Sequence, residues 1–431
     1  MFSLQKQIGI GIVGLGYVGL TLAAHLANRQ SKIYGFETNH ETVNHLLSGK
    51  VTIQEVGLME SIREALDNEK LVINDFQASE LDVLFICVGT PKPKLGEDSF
   101  QLFYDALVQH TKFLKRGGVL FLRSTVAVGT TRRVEEKLHQ LGRGDIAVCF
   151  APERTAEGVA LLELETLPQL FGANDTHSGT LGNACLDRLG FRTVRLHSSE
   201  QAELAKLICN TWRDTTFAFA NEMAMLGDRL KVDAQAAIRA ANFDYERSQV
   251  PLPGPVSGPC LSKDTYILHE NFGAGEYSVT LEARRVNELF EEHVKKLIEG
   301  ILVSNRDLKR VVVAGLAFKG KPQTFDIRDS LGVSIVSRLR EKFPFVETHV
   351  WEEQVPSNLL PDDFSLVVNP HELSTFDLLI LANNAPFLSS QGIEFAIERN
   401  PNMIVVDVWG TLDERFRVSG RYKLVGDGLG L

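Results

Sequence analysis

The chemistry in this 431-residue chain is easiest to locate from Cys260. Prolines at 251, 253, 255 and 259 and glycines at 254 and 258 forbid regular helix or strand in the stretch from Arg247 to Asp264. Cys260 is therefore carried on irregular backbone in Gly258-Pro259-Cys260-Leu261-Ser262-Lys263-Asp264, with a lysine close by. A thiol in a partly exposed, electropositive setting has a lowered pKa, and its thiolate is a nucleophile. The other cysteines contrast with it. Cys87 and Cys149 lie in apolar runs, and Cys185 and Cys209 in helical patterns with apolar neighbours, which predicts packing.

A second constellation opens the chain. Ile8 to Val13 is a short apolar run that ends in Gly14-Leu15-Gly16-Tyr17-Val18-Gly19, and a helical pattern follows from Tyr17 to about Asn28. The first glycine suits the turn, the second lets backbone approach a pyrophosphate, and the third lets helix pack on strand, with the helix N-terminus facing the anion. Glu37 ends the next apolar run, Lys32 to Phe36. An acid at that distance accepts hydrogen bonds from an adenosine ribose and repels a 2′-phosphate, so NAD is expected over NADP.

These residues need a scaffold, and the pattern supplies one. Apolar runs at Leu81–Val88, Gly118–Leu122 and Ile146–Phe150 lead into Gly89-Thr90-Pro91, Arg123-Ser124-Thr125-Val126 and Ala151-Pro152-Glu153-Arg154-Thr155-Ala156-Glu157-Gly158. In a doubly wound parallel sheet, ligands sit at the carboxyl ends of the strands, where these turns fall. Glu153 and Glu157 are there either cofactor-side groups or a solvated pair. A long helix is expected from Ser199 to about Lys231, carrying Lys206, Asn210 and Arg213 on one face, a stripe that reads either as a wet surface or as a ligand-facing row. Asp233 caps a further helix ending near Phe243. The mixed charge from Leu281 to Leu302 predicts a helix with a solvated face or a spacer between domains. After Asn305 a second α/β pattern begins, with strands at Arg310–Ala314, Thr348–Trp351, Leu378–Leu381 and Ile404–Val408; its first turn lacks the glycine fingerprint and suits a different nucleotide.

The expected architecture is α/β, with two Rossmann-like doubly wound domains joined by a long central helix. Residues 1–198 would bind NAD, 199–305 would form a helical dimerisation region holding the cysteine loop, and 306–431 would bind a different nucleotide. A net charge of −10 argues against nucleic acid or an anionic membrane as partner. Five cysteines without a C-x-x-C pair argue against a disulfide framework or a zinc site and for a reducing compartment. The apolar N-terminal stretch is broken by glycines and lacks a cleavage pattern, so a cytoplasmic protein is expected.

Taken together, the motifs resemble the NAD-dependent nucleotide-sugar 6-dehydrogenases, the UDP-glucose/GDP-mannose dehydrogenase family. The resemblance rests on the glycine turn, Val88-Gly89-Thr90-Pro91, Ser124-Thr125-Val126, Pro152-Glu153 with Glu157-Gly158, and Ala202-Glu203-Leu204-Ala205-Lys206-Leu207 with Asn210. It continues through Cys260 to Asp264 and Phe318-Lys319 with Asp326-x-Arg328-x-Ser330. It implies a four-electron oxidation of a sugar C6 alcohol to a uronate for polysaccharide assembly, on a homodimer.

The same resemblance implies the roles. Cys260 is the nucleophile, Lys206 stabilises oxyanion charge, Asn210 orients the substrate oxygen, Glu153 is the base for thioester hydrolysis, and Thr125 with Asp264 positions water or assists proton transfer. Tyr17, Val18, Ser124, Thr125, Glu157 and Arg328 fall on the cofactor side; Arg154, Arg213, Lys319 and, from a neighbouring subunit, Arg247 fall on the substrate side. Glu153-Arg154 and Asn210-Thr211-Trp212-Arg213 are similar to the branch acting on UDP-N-acetylhexosamines, the alternatives being UDP-glucose and GDP-mannose. Ser257-Gly258-Pro259 before the cysteine, Ala151 and Leu331 depart from the family pattern. Two other readings are a single-step β-hydroxyacid dehydrogenase, which needs no cysteine, and a non-catalytic nucleotide-sugar sensor.

Overall fold

The computed structural model describes residues 8–27, 29, 32–51, 53–75, 80–90, 92, 101–270, 278–413, 415–416 and 421–428. The chain divides into two compact units, residues 1–209 with 266–276 and residues 210–265 with 277–431.

The first unit alternates strand and helix: β1 (Gly9–Val13), α1 (Tyr17–Ala27), β2 (Lys32–Phe36), α2 (His40–Leu47), α3 (Leu58–Asp67), β3 (Leu71–Ile73), β4 (Leu81–Ile86) and α4 (Gln101–Thr111). β5 (Leu114–Leu122), α5 (Thr130–Gln140), β6 (Ala147–Phe150), α6 (Ala160–Thr166), β7 (Gln169–Gly172), α7 (Thr176–Arg188) and β8 (Thr193–Leu196) follow. Its eight-stranded sheet has the order β3-β2-β1-β4-β5-β6-β7-β8. Every pairing is parallel except β6 with β7, joined antiparallel through Phe150 and Gly172. The strands read as continuous apolar runs because helices cover both faces. One core, with Ile10, Ile12, Phe85 and Phe121, lies on one side of the sheet and another, with Leu84, Leu120 and Phe150, on the other. The switch at β7 was hidden in sequence, since Gln169-Leu170-Phe171-Gly172 is short and its partners are distant.

α8 runs from Ser199 to Leu230, with Ser198 Oγ accepting the Gln201 N–H at 3.3 Å as its cap. α9 (Ala234–Asn242) is capped by Asp233, as expected, and α10 (Leu261–His269) follows the proline-rich loop. α11 spans Val279–Ser304 and does more than present a solvated face: Arg284 and Asn287 on it are buried.

The second unit holds a five-stranded parallel sheet of order β10-β9-β11-β12-β13, made of β9 (Arg310–Ala314), β10 (Glu347–Trp351), β11 (Leu378–Leu381), β12 (Ile404–Asp407) and β13 (Tyr422–Leu424). α12 (Leu331–Lys342) follows β9, and α13 (Gln391–Arg399) precedes β12. Its first turn repeats the first unit's geometry although the glycine fingerprint is missing. Gly315 has φ 86° and donates its N–H to Trp351 O at 3.1 Å, as Gly14, at φ 88°, donates to Phe36 O at 2.8 Å. Glu352 Oε2 accepts the Leu316 N–H at 2.5 Å, the counterpart of Glu37 Oε2 accepting the Leu15 N–H at 2.8 Å. A repeat that the residue spacing conceals is thus present in the backbone.

Candidate active site

The glycines after β1 divide their work as steric chemistry demands. Gly14 takes a left-handed turn, and a Cβ there would lie 3.1 Å from the Cys87 carbonyl. A Cβ on Gly16 would meet nothing within 4 Å, which leaves open space over the turn. A Cβ on Gly19 would fall 1.9 Å from Gly14 O, so α1 can rest on β1 only with glycine there. Open backbone at the N-terminus of a helix, with no acidic residue in its first turn, fits a pyrophosphate. Glu37 closes the pocket side: Oε1 accepts the N–H groups of Thr38 and Asn39, each at 2.8 Å, while Oε2 holds Leu15. The residues present therefore fit NAD.

The turns after β4 and β5 are laced together. Thr90 Oγ1 donates to Thr125 O at 2.8 Å, and Ser124 Oγ donates to Val88 O at 2.6 Å. Both side chains brace the strand ends, and Gly89 is exposed beside them. Pro91 lies outside the described residues.

Glu153, after β6, is 7% exposed. Its Oε1 accepts the N–H groups of Arg154 at 2.7 Å and Thr155 at 2.9 Å, and its Oε2 pairs with the Arg123 Nη2. Burial by itself would raise this carboxyl's pKa. The Arg123 guanidinium and the two backbone N–H groups outweigh burial and hold it below the usual carboxylate range. The neighbouring segment is clasped by a group the sequence reading did not single out. Glu55 Oε2 accepts from Tyr17 Oη at 2.5 Å and from the Gly158 N–H at 2.9 Å, which ties the glycine turn to the segment holding Glu157. Burial first, and then Glu55, push the Tyr17 phenol well up, so it stays a donor. No spacing rule finds Glu55. A buried arginine at a strand end, by contrast, signals a partner, and Arg123 was open to that reading. Arg154 is half-buried and donates from Nη2 to Pro168 O at 2.6 Å.

In the second unit the cysteine loop is held from below. Asn221 donates to Gly254 O at 2.9 Å and accepts the Gly254 N–H at 2.8 Å, while the Trp409 ring covers Gly254 so closely that a Cβ would fall 2.4 Å from it. Asn221 also donates to Asn287 Oδ1 at 2.8 Å, and Asn287 donates to Asp214 Oδ1 at 2.8 Å. Arg284 pairs with the same Asp214 oxygen at 2.9 Å and lies 3.4 Å from Val256 O and Leu261 O, both in or beside the loop. Burial raises the Asp214 pKa and Arg284 opposes it. This network, with both ions nearly inaccessible, anchors irregular backbone that has few ladder bonds of its own.

On this support, Gly258 at φ 92° packs against the Phe318 ring, and Cys260 opens α10. The Cys260 carbonyl accepts the N–H groups of Lys263 at 3.2 Å and Asp264 at 3.0 Å, so the residue occupies the helix N-terminus, where a negative charge is stabilised. It is the one exposed cysteine; Cys87, Cys149 and Cys185 are buried and Cys209 is half-buried, less enclosed than its apolar neighbours suggest. Burial pushes the Cys87 and Cys185 thiols up to about 12, which leaves them inert. Asp264, one turn along, is 1% exposed and accepts from Asn210 Nδ2 at 2.5 Å. Lys206 is half-buried one turn before Asn210 on α8.

The Phe318–Ser330 loop lies under the cysteine loop. Ser262 Oγ donates to Gly258 O at 2.8 Å and to Asp329 Oδ2 at 3.0 Å. Lys319 is half-buried with its ammonium 5.4 Å over the Phe318 ring, and Arg328 is exposed and forked onto Asp326 at 3.0 Å. Arg213 is exposed, and so is Arg247, whose guanidinium sits 4.9 Å over the Tyr245 ring.

Residues 8–189 match the NAD binding domain of the UDP-glucose/GDP-mannose dehydrogenase family and residues 200–289 its central domain. UDP-N-acetyl-D-mannosamine dehydrogenase of Methanococcus maripaludis is 27% identical over 97% of both chains, and that of Pyrococcus horikoshii 31% identical over 79% of this chain and 82% of the relative. The solved UDP-D-ManNAc dehydrogenase from Pyrococcus horikoshii superposes with a TM-score of 0.85 at 26% identity, covering 98% of this chain and all of that one. A glycine turn that fits NAD, an exposed helix-capping cysteine and these matches agree: the chain belongs to the UDP-glucose/GDP-mannose dehydrogenase family and is an NAD-dependent nucleotide-sugar dehydrogenase.

Proposed function

We propose that this enzyme oxidises the C6 alcohol of UDP-N-acetyl-D-mannosamine to the uronate, in two hydride transfers, for polysaccharide assembly. The observation that carries the reading is Cys260, exposed at the N-terminus of α10 with Asp264 one turn behind it. Curated relatives that cover nearly the whole chain act on that sugar nucleotide by name, which supports the substrate. NAD supplies the hydride acceptor, once for each oxidation step.

The chain's residues do the rest. The Cys260 thiolate adds to the C6 aldehyde, forming a C–S bond and a thiohemiacetal, which holds the intermediate. Loss of a second hydride leaves a thioester; water then forms the C–O bond, the C–S bond breaks, and the thiolate returns. Lys206 supplies positive charge to the oxyanions, and Asn210, fixed by Asp264, orients the substrate oxygen. Thr125 and Asp264 place the water, and Glu153 accepts from it. Gly14, Gly16, Tyr17, Val18, Gly19, Glu37, Gly89, Thr90, Pro91, Ser124, Glu157 and Arg328 form the cofactor side, and Arg154, Arg213, Lys319 and Arg247 the substrate side.

The division into an NAD domain, a helical middle and a nucleotide-sugar domain follows the same reading. So does a homodimer. Leu204, Ile208, Trp212, Phe219, Leu226 and Leu230 recur along one face of α8, and all are exposed, with Trp212 at 66%. A second copy of the same helix covers such a stripe. Among the described residues no helix is long and apolar enough to cross a membrane. A cytoplasmic location suits a reactive thiol.

The test measures NADH formed per sugar with UDP-ManNAc, UDP-GlcNAc, UDP-glucose and GDP-mannose offered separately to wild type and Cys260→Ala. Two NADH per UDP-ManNAc, with the variant unable to complete turnover, is expected. One NADH per sugar with an unimpaired variant refutes the mechanism.

A further inference from the structure

Arg123 is 1% exposed and ends the apolar strand β5. A guanidinium so placed costs several kcal/mol in desolvation unless it is paired and hydrogen-bonded. Here Nη2 pairs with Glu153, and Nη1 donates to Gln169 Oε1 at 2.8 Å and lies 3.4 Å from Ala151 O. Gln169 closes the ring by donating from Nε2 to Pro152 O at 3.0 Å, so β7 braces both the guanidinium and the residue before Glu153. Three of the roughly four lone-pair positions of the Glu153 carboxylate are then filled, by Arg123 and the Arg154 and Thr155 N–H groups. One position is left for a water.

We propose that Arg123, braced by Gln169, is the positioning residue of Glu153: it holds the carboxylate as a fixed anion with a single free acceptor position, which orients the hydrolytic water. The proposal rests on the role given to Glu153 above and specifies how that role is performed. In the step served, the C–O bond forms, the C–S bond breaks, Cys260 leaves as thiolate, and the protons of the water pass to solvent, the first by way of Glu153. Other ionisable groups face this pair. His25 comes from α1 and Cys87 from the end of β4, both buried and uncharged, and Glu163 on α6 accepts the Ala156 N–H at 2.7 Å.

Arg123→Gln, Arg123→Lys, Glu153→Gln and the double variant Arg123→Gln/Glu153→Gln test this by two independent readouts. The first needs no turnover: carboxyl-labelled glutamate is followed by NMR, with the Glu153 resonance identified by its loss in Glu153→Gln. In wild type Glu153 is expected to titrate below the ordinary carboxylate range, and in Arg123→Gln above its wild-type position, because burial is then opposed only by the Arg154 and Thr155 N–H groups. An unmoved titration overturns the proposal. The second is the pH profile of kcat. In Arg123→Gln its acid limb moves up and kcat below the new limb falls roughly 10- to 100-fold, while KM for NAD stays within about twofold. Arg123→Lys, which keeps the charge and loses the Gln169 brace, restores the limb, and the double variant is no slower than Glu153→Gln. A loss equal at every pH, or additive losses in the double variant, overturns it. Should Arg123→Gln not fold, Arg123→Met and Arg123→Lys carry the same comparison. No NADH from any sugar with wild type refutes the proposed function, while the NMR titration still decides the Arg123 proposal.

Discussion

Asn210 Nδ2 donates to Asp264 Oδ2 at 2.5 Å, joining the long helix α8 to the short helix that Cys260 opens. Asp264 is almost inaccessible, so this bond is worth more than a surface contact. Asn210→Ala is expected to leave a buried carboxylate short of a donor, lower kcat roughly 100-fold, and destabilise the fold by about 1–3 kcal/mol. Asp264→Asn, which keeps the shape, is expected to lose activity with much less loss of stability. Steady-state kinetics beside denaturant unfolding checks both; equal stability losses would contradict the assignment.

The glycine turn predicts opposite effects from one methyl group. Gly19→Ala places a carbon against Gly14 O and is expected to cost on the order of 3 kcal/mol of stability. Gly16→Ala has free space and is expected to fold normally while binding NAD at least 10-fold more weakly, since the methyl takes up the room left for the pyrophosphate. Thermal unfolding and cofactor titration separate the two.

Trp212 is the most exposed member of the apolar face of α8. Trp212→Glu is expected to shift the protein from dimer to monomer in sedimentation at micromolar concentration without unfolding it. An unchanged sedimentation coefficient would remove α8 from the interface.

Burial first, then Arg29 and Arg123, lower the pKa of His25 from 6.5 to about 4. Below pH 6.5 the unfolded chain takes up a proton that the folded chain refuses, so stability falls as pH drops from 6.5 toward about 4, by up to roughly 3 kcal/mol. Glu153, with a depressed carboxyl, adds a second loss in the same direction, beginning at the ordinary carboxylate range and continuing as pH falls through its lower folded value. Denaturant unfolding between pH 7 and 4 is expected to show the first slope in wild type and a flatter one in His25→Leu over about that range. An identical slope in both would exclude His25 as its source.

The elements that carried the site were legible wherever a local rule applied. Gly14, Gly16 and Gly19 with Glu37 sit where spacing placed them, and the strand Leu378–Leu381 has the expected ends. Cys260 was recognisable because proline and glycine make the backbone before it irregular; the expectation of no helix as far as Asp264 failed, since α10 begins at Leu261, just past Pro259. What stayed hidden depends on partners far apart in the chain. The antiparallel step at β7, the burial of Arg284 and Asn287 in a helix that reads as mixed-charge surface, and the Glu55 clasp on Tyr17 are all settled by residues outside the local sequence. Thr90 and Ser124 follow the strands that the pattern placed before them, while their hydroxyls are engaged in bracing the strand ends.

The matched turns at Gly14-Leu15 with Glu37 and Gly315-Leu316 with Glu352 carry a mechanical consequence. In each, a glycine at positive φ is followed by an amide that donates to the acid at the end of the next strand, so the acid holds the strand-to-helix turn in shape. In the second unit the acid is wholly a backbone clamp, its Oε1 accepting the Gln354 and Val355 N–H groups. Each glutamate therefore shapes its turn through backbone amides, whatever lies over that turn.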